Sequence, residues 1–235
     1  MPKRPSTFVG ALPTQFVESV PTTPDQRRTV AMAASLLLDY PGEAFVDSLG
    51  AVEQQLHALP EQVRTELQSF VDWVHTVGLR RVAEAYVDTF DSRRRCSLYL
   101  SYYAVGDTRQ RGQAILAFQE ELNQAGFTLA RKELPDHLCV VLEACATAAP
   151  AGHDRLTELL AAHRDGIEVL RYALEQAASP YAHLVRAVCA VLPHIDEAKA
   201  QAFVDLIRQG PPAELVGAGS QHDSLPFPML KGANL

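Results

Sequence analysis

The side chains most able to carry chemistry in this chain are its eight histidines and four cysteines. Their spacing does not assemble them into a reactive or metal-binding set. No His-Glu-x-x-His is present, and no histidine lies beside a Cys-x-x-Cys pair. His153 and His163 are ten apart, and His183 and His194 eleven apart, neither a natural ligand pair. Cys139 and Cys145 are six apart, which puts them on poorly aligned faces of a helix. Cys96 and Cys189 have no partner spacing either, so buried reduced thiols are expected rather than a redox couple. There is no Gly-rich phosphate loop and no Gly-x-Ser-x-Gly elbow. The carboxylates of Glu120 and Glu121 are expected on a solvated face. The reading is of a chain with no catalytic residues, no metal and no cofactor.

Binding chemistry is concentrated instead between Tyr86 and Arg111. This stretch holds five arginines (Arg93, Arg94, Arg95, Arg109, Arg111) and four tyrosines (Tyr86, Tyr99, Tyr102, Tyr103). Both types join apolar contact area to hydrogen-bonding ends, which suits them to gripping another chain. Arg93, Arg94 and Arg95 are consecutive and fan around a helical turn, so they cannot all face one way. Asp88, Asp91 and Asp107 are candidate intrachain ion partners for them. A second candidate is Glu133-Leu134-Pro135-Asp136-His137. Here Asp136 is expected to cap a helix, Pro135 to stiffen its approach, and His137 to bond a partner and respond to pH.

The elements that would position these residues read as helix after helix. Val30, Ala33, Ala34, Leu37 and Leu38 form an apolar stripe that ends at Asp39-Tyr40-Pro41-Gly42. A second helix is expected over 43–58, and a third carries Val63, Leu67, Phe70, Val71 and Val74 up to Gly78. Leu79, Val82, Ala83, Tyr86, Val87 and Phe90 recur at steps of three and one, the period of a core-facing helix. Another helix is expected over Cys96–Ala104, then one capped by Asp107 or Thr108 and followed by Gly126. Further helices are expected near 138–145, 153–163, 166–177, 180–191 and 195–208. Strict alternation and fixed-length repeats are missing, so the fold class is all-α, a compact multi-helix bundle. Residues 1–24 are rich in proline and read as a flexible N-terminal arm, 25–208 as the helical domain, and 209–235 as a flexible C-terminal tail. The tail contains one apolar patch, Leu225 to Leu230, which would either stay disordered or act as a placeholder in the chain's own groove or in a neighbouring molecule's.

Composition narrows the function further. A net charge of -7 on 235 residues argues against nonspecific attraction to nucleic acid or anionic lipid. No apolar run approaches the roughly 20 residues that cross a bilayer, and no secretory h-region follows Lys3 and Arg4. A cytoplasmic protein is expected.

The block from Tyr86-Val-Asp-Thr-Phe90-Asp91 through Arg93-Arg94-Arg95-Cys96 to Tyr99 and Tyr102-Tyr103, followed by Gly106-Asp107-Thr108-Arg109-x-Arg111-Gly112, closely resembles the NarJ family. Ala34-Ser-Leu-Leu-Leu-Asp39-Tyr40-Pro41 and Glu133-Leu-Pro135-Asp136-His137-Leu138 match the same pattern, and the likeness spans roughly residues 27–208. The resemblance implies an all-helical fold of the TorD/DmsD/NarJ type and an assembly chaperone of respiratory nitrate reductase. It implies that the partner is the N-terminal segment of the apo catalytic subunit, held ready for insertion of its molybdenum cofactor and iron–sulfur cluster, with the insertion machinery as a further partner. The class's Tyr-x-x-x-Phe element falls on Tyr86 and Phe90, and its Glu-x-x-Asp-His element on Glu133, Asp136 and His137. The expected partner-binding set is therefore Tyr86, Phe90, Asp91, Arg93, Arg94, Arg95, Tyr99, Tyr102, Tyr103, Glu133, Asp136 and His137. Tyr86, Phe90 and Tyr102 are expected to form an apolar floor, with Asp136 and His137 at the rim.

Overall fold

A computed structural model describes residues 10, 12–129 and 133–209, and every regular element among them is a helix. The first, α1 (Pro24–Leu37), starts at a reciprocal cap. Thr23 Oγ1 accepts from the Gln26 amide at 3.2 Å, and Gln26 Oε1 accepts from the Thr23 amide at 3.0 Å. Its stripe of Val30, Ala33, Ala34 and Leu37 is buried, as the period requires. α2 (Phe45–Gln55) tightens into a 3₁₀ turn, Leu56–Ala58, before α3 (Glu61–Val77). Gly78, with φ +76°, ends α3 in a conformation that side chains rarely adopt, and lets α4 (Leu79–Tyr86) leave in a new direction.

The remaining helices are α5 (Leu100–Val105), α6 (Arg111–Gln124), α7 (Leu138–Thr147), α8 (Pro150–Ala162), α9 (Arg164–Gln176), α10 (Ala182–Val191) and α11 (Glu197–Gln209). α1, α7 and α10 form the centre, with Ser35 Oγ donating to the Cys139 carbonyl at 2.8 Å where α1 meets α7. α3 covers α10 on one side; α6, α8 and α11 pack together on the other. α9 crosses α5 at Gly166, where an added Cβ would lie 2.8 Å from Cβ of Tyr103, so only a bare backbone lets the two helices meet. All four cysteines are free and buried. No described helix is long and apolar enough to cross a membrane.

Several expectations need correction. Cys96–Ala104 is not one helix. A 3₁₀ turn over Arg94–Cys96 gives way to extended backbone, and α5 starts only at Leu100. The cause is a long-range backbone pairing of Tyr99 with His137: the Leu100 amide donates to the Asp136 carbonyl at 2.9 Å, and the Leu138 amide to the Leu98 carbonyl at 2.8 Å. Glu121 does not lie on a solvated face. It is buried, with its carboxylate 2.8 Å from Arg155 of α8.

The expected loose arm is, from Gln15 to Val20, a strap bonded to the helical body. The Val20 amide donates to the Ala190 carbonyl at 2.7 Å, and Ser19 Oγ to the Leu192 carbonyl at 2.9 Å. Glu168 is fully buried between Arg164 and Arg171 and accepts from the Val17 amide at 2.9 Å. Arg164 donates to the Val17 carbonyl and Arg171 to the Gln15 carbonyl. Strap and ions thereby satisfy one another, which is how two cations and an anion persist away from water. The tail from 210, including Leu225 to Leu230, lies outside the described residues.

Candidate functional site

α4 does not continue as a regular helix to Phe90. It passes into a π turn over Val87–Asp91, closed by the Ser92 amide donating to the Val87 carbonyl at 3.1 Å. The turn brings Phe90 against Tyr86, ring centres 4.8 Å apart, and both rings rest on Tyr181 at 5.0 and 5.9 Å. Tyr40 meets Tyr86 edge-on at 5.4 Å. Beneath the turn the hydroxyls of Thr89 and Ser179 hydrogen-bond at 3.1 Å. Tyr86 and Phe90 are half-buried, so each offers part of its ring to the outside. Burial holds the Tyr86 hydroxyl proton on at any ordinary pH.

The opposite wall is built by the Tyr99–His137 pairing. The two rings meet edge-on at 5.1 Å, and the Arg111 guanidinium lies 5.2 Å from the Tyr99 ring centre. The Tyr99 hydroxyl donates to Glu133 Oε1 at 3.1 Å; burial and the Glu133 charge push its pKa up to about 12. Under this wall lies Asp136, with no exposed surface, accepting from Ser101 Oγ at 2.5 Å. Burial raises the Asp136 pKa, while the Ser101 bond and the Arg111 charge oppose the rise.

Asp136 is thus neither the expected helix cap nor a rim residue. His137 occupies the cap position of α7 with extended backbone, and its side chain makes no cap bond. The backbone pairing fixes the chain here and turns the Asp136 carboxylate inward to Ser101. His137 is also largely buried and shows one face to the groove rather than standing at its lip.

Between the two walls is a groove of about 610 Å³. Tyr86, Phe90, Asp91, Arg93, Arg94, Tyr99, Tyr102, Glu133 and His137 all line it, so nine of the twelve expected residues meet in one place. Arg94 pairs with Asp107 at the rim, and Arg111 lies 3.9 Å from the same carboxylate. Arg93 donates to the Asp88 carbonyl at 3.2 Å. Arg95 and Tyr103 face a neighbouring cavity instead. Tyr103 is buried, and its hydroxyl donates to the Ser97 carbonyl at 2.8 Å, so it braces the wall from behind. Tyr181 and Arg111 also belong to the site. Arg111 stands in the sequence block that carries the resemblance, whereas nothing local to Tyr181 marks it. What the groove offers a ligand is ring surface and hydrogen-bonding groups. Among the described residues no three His, Cys, Asp or Glu side chains gather as a metal site.

The model of the nitrate reductase delta subunit family matches residues 56–187, a span that contains both walls of the groove. The chain belongs to this family. Among similar proteins, the nitrate reductase-like protein NarX of Mycobacterium tuberculosis (strain ATCC 25618 / H37Rv) is 40% identical over 170 residues, covering 72% of this chain and 25% of that protein. This chain thus matches only a quarter of the length of that relative. A probable nitrate reductase molybdenum cofactor assembly chaperone NarJ of Bacillus subtilis (strain 168) is 30% identical over 170 residues, 72% of this chain and 91% of that one. The nitrate reductase molybdenum cofactor assembly chaperone NarJ of Escherichia coli (strain K12) is 32% identical over 112 residues, 46% of this chain and 48% of that one. The NarJ likeness read from the motif blocks agrees with these matches.

Proposed function

We propose that this delta-subunit family member is an assembly chaperone and not a catalyst. It binds the N-terminal segment of the apo catalytic subunit of respiratory nitrate reductase in the cytoplasm. There it keeps the subunit open while the insertion machinery supplies the molybdenum cofactor and the iron–sulfur cluster. Two relatives that carry the name of such a chaperone support this reading. The observation that carries it is the groove itself, where two separate sequence blocks supply an aromatic floor and a polar rim to one cleft.

An amphipathic helix laid in such a cleft presents anchors at i, i+3, i+4 and i+7. Each anchor side chain fully buried contributes about 1.5–3 kcal/mol before the costs of ordering are subtracted. A few anchors therefore give binding that is firm yet releasable, as delivery of a finished subunit requires. Calorimetric titration of a peptide of the catalytic subunit's N terminus tests this. Wild type should bind it, and Phe90→Ala should bind at least about 10-fold more weakly, the loss of one anchor contact. Absence of binding to wild type sinks the reading; unchanged affinity in a folded Phe90→Ala variant removes the aromatic floor from it.

A further inference from the structure

Past Tyr102 the groove wall opens into a second cavity of about 680 Å³, between the Arg94–Cys96 turn, α5 and α9. It shares Arg93, Arg94 and Tyr102 with the groove, so a polypeptide lying in one can run on into the other. Its described lining includes Tyr102 and Tyr172, the buried Tyr103 behind them, Val169 and Ala173 of α9, and Gly10 against Val169. Its charge is unlike that of the rest of the chain. The protein carries 28 acidic against 21 basic residues, yet among the described residues three arginines and no carboxylate line this cavity. Arg94 is engaged by Asp107 and Arg93 by the Asp88 carbonyl. The exposed Arg95 side chain has no ion-pair or hydrogen-bond partner among the described residues. An exposed guanidinium beside the partly exposed rings of Tyr102 and Tyr172 fits an anionic group attached to an apolar body.

We propose that this second cavity receives an acidic stretch of the same client polypeptide, its carboxylates on Arg95 and its apolar side chains against Tyr102 and Tyr172. The inference rests on the peptide-binding reading of the groove and adds a second point of recognition to it. The groove selects ring-compatible anchors, whereas the cavity selects charge, so a client lacking carboxylates downstream of its anchors is discriminated against.

The test uses the full chain, the N-terminal peptide of the catalytic subunit, and the same peptide with Asp and Glu replaced by Asn and Gln. Arg95→Glu should weaken the acidic peptide about 10-fold at low salt, the scale of placing like charges together, and less at high salt. It should leave the neutral peptide unaffected, while Phe90→Ala weakens both. In Arg95→Lys, carbodiimide coupling should join the introduced amine to a client Asp or Glu that follows the apolar anchors. Equal affinities of the two peptides, or no such crosslink, overturns the proposal while leaving the groove reading intact; failure of both peptides to bind wild type overturns the groove reading first. Two other results also overturn it. One is binding of ATP or pyrophosphate that is lost in Arg95→Glu and competes with the acidic peptide, which assigns the cavity to a small anion. The other is tighter peptide binding after removal of residues 1–9, which assigns it to the chain's own N terminus.

Discussion

His163 makes the folded chain acid-sensitive in a way that its geometry quantifies. It lies at the junction of α8 and α9, buried, with Nδ1 donating to the Leu159 carbonyl at 2.9 Å and the ring 5.2 Å from that of Phe118. Nε2 is buried without a hydrogen-bond partner, so a proton added there would bring a charge with nothing to receive it. Burial pulls the pKa from 6.5 down to about 4; the Leu159 bond opposes this and the Arg208 charge adds to it. The unfolded chain therefore takes up a proton near pH 6.5, and the folded chain does not until about pH 4. The stability is complete above the upper value and drains away as pH falls through this window. Linkage over these two values gives a loss of roughly 2 kcal/mol between pH 7.5 and pH 5. Urea unfolding followed by fluorescence of Trp73, the single tryptophan, measures this. His163→Gln keeps a donor for Leu159 and cannot titrate, so it should lose roughly 2 kcal/mol less than wild type over the same interval. His153, whose pKa burial also lowers, contributes equally to both proteins. An identical loss in variant and wild type would refute the reasoning.

Two further outcomes follow from buried charge. Glu168→Gln leaves Arg164 and Arg171 facing one another without the anion between them, so stability should fall by about 3–5 kcal/mol. The Val17 amide, left with a neutral carboxamide oxygen in place of a carboxylate as its acceptor, should lose hydrogen-exchange protection ahead of the helices, and retained protection would show that the strap does not depend on the charge of Glu168. Ser101→Ala removes the hydroxyl donor to Asp136 and should cost about 1–3 kcal/mol while raising the Asp136 pKa further, read by carboxyl carbon NMR. An unmoved titration would mean that the hydroxyl does not hold this carboxylate.

The helices were legible where the core imposes a period. Val63, Leu67, Phe70, Val71 and Val74 were read as one face of α3, and all five are buried. What escaped was held by partners distant in sequence. Leu98–Tyr99 is extended because its backbone pairs with the segment around His137, and no local pattern announces such a pairing. The Pro-rich composition of the arm hid a strap whose partners sit on α9 and α10, far along the chain: Glu168 for the Val17 amide and the Ala190 carbonyl for the Val20 amide. Glu121 looked solvated beside Glu120 because its cation, Arg155, is on α8. At the site the residue types disclosed membership but not depth. Tyr and Arg marked the groove, yet nothing local says that Asp136 is buried under the Tyr99 wall while Arg93 is exposed beside the Asp88 carbonyl. Tyr181 enters only because α10 packs on α3, where its ring lies 5.2 Å from Phe70 and close to Tyr86 and Phe90.

The two walls of the groove are held by different means, and this bears on where affinity can come from. The Tyr99 wall is fixed by paired backbone, by Arg111 on the ring and by the buried Ser101–Asp136 bond. The Tyr86–Phe90 wall ends in a π turn, a rare backbone arrangement found mostly as single turns within helices, and its rings rest on Tyr181. The rim charges are largely occupied within the chain, Arg94 by Asp107 and Glu133 by the Tyr99 hydroxyl. Exchanging one exposed pair for another gains little, typically under about 1 kcal/mol. On the proposed reading, attraction in the groove comes from covering the half-exposed rings of Tyr86, Phe90 and Tyr102, a contact that selects shape over sequence and leaves charge discrimination to Arg95 beyond Tyr102.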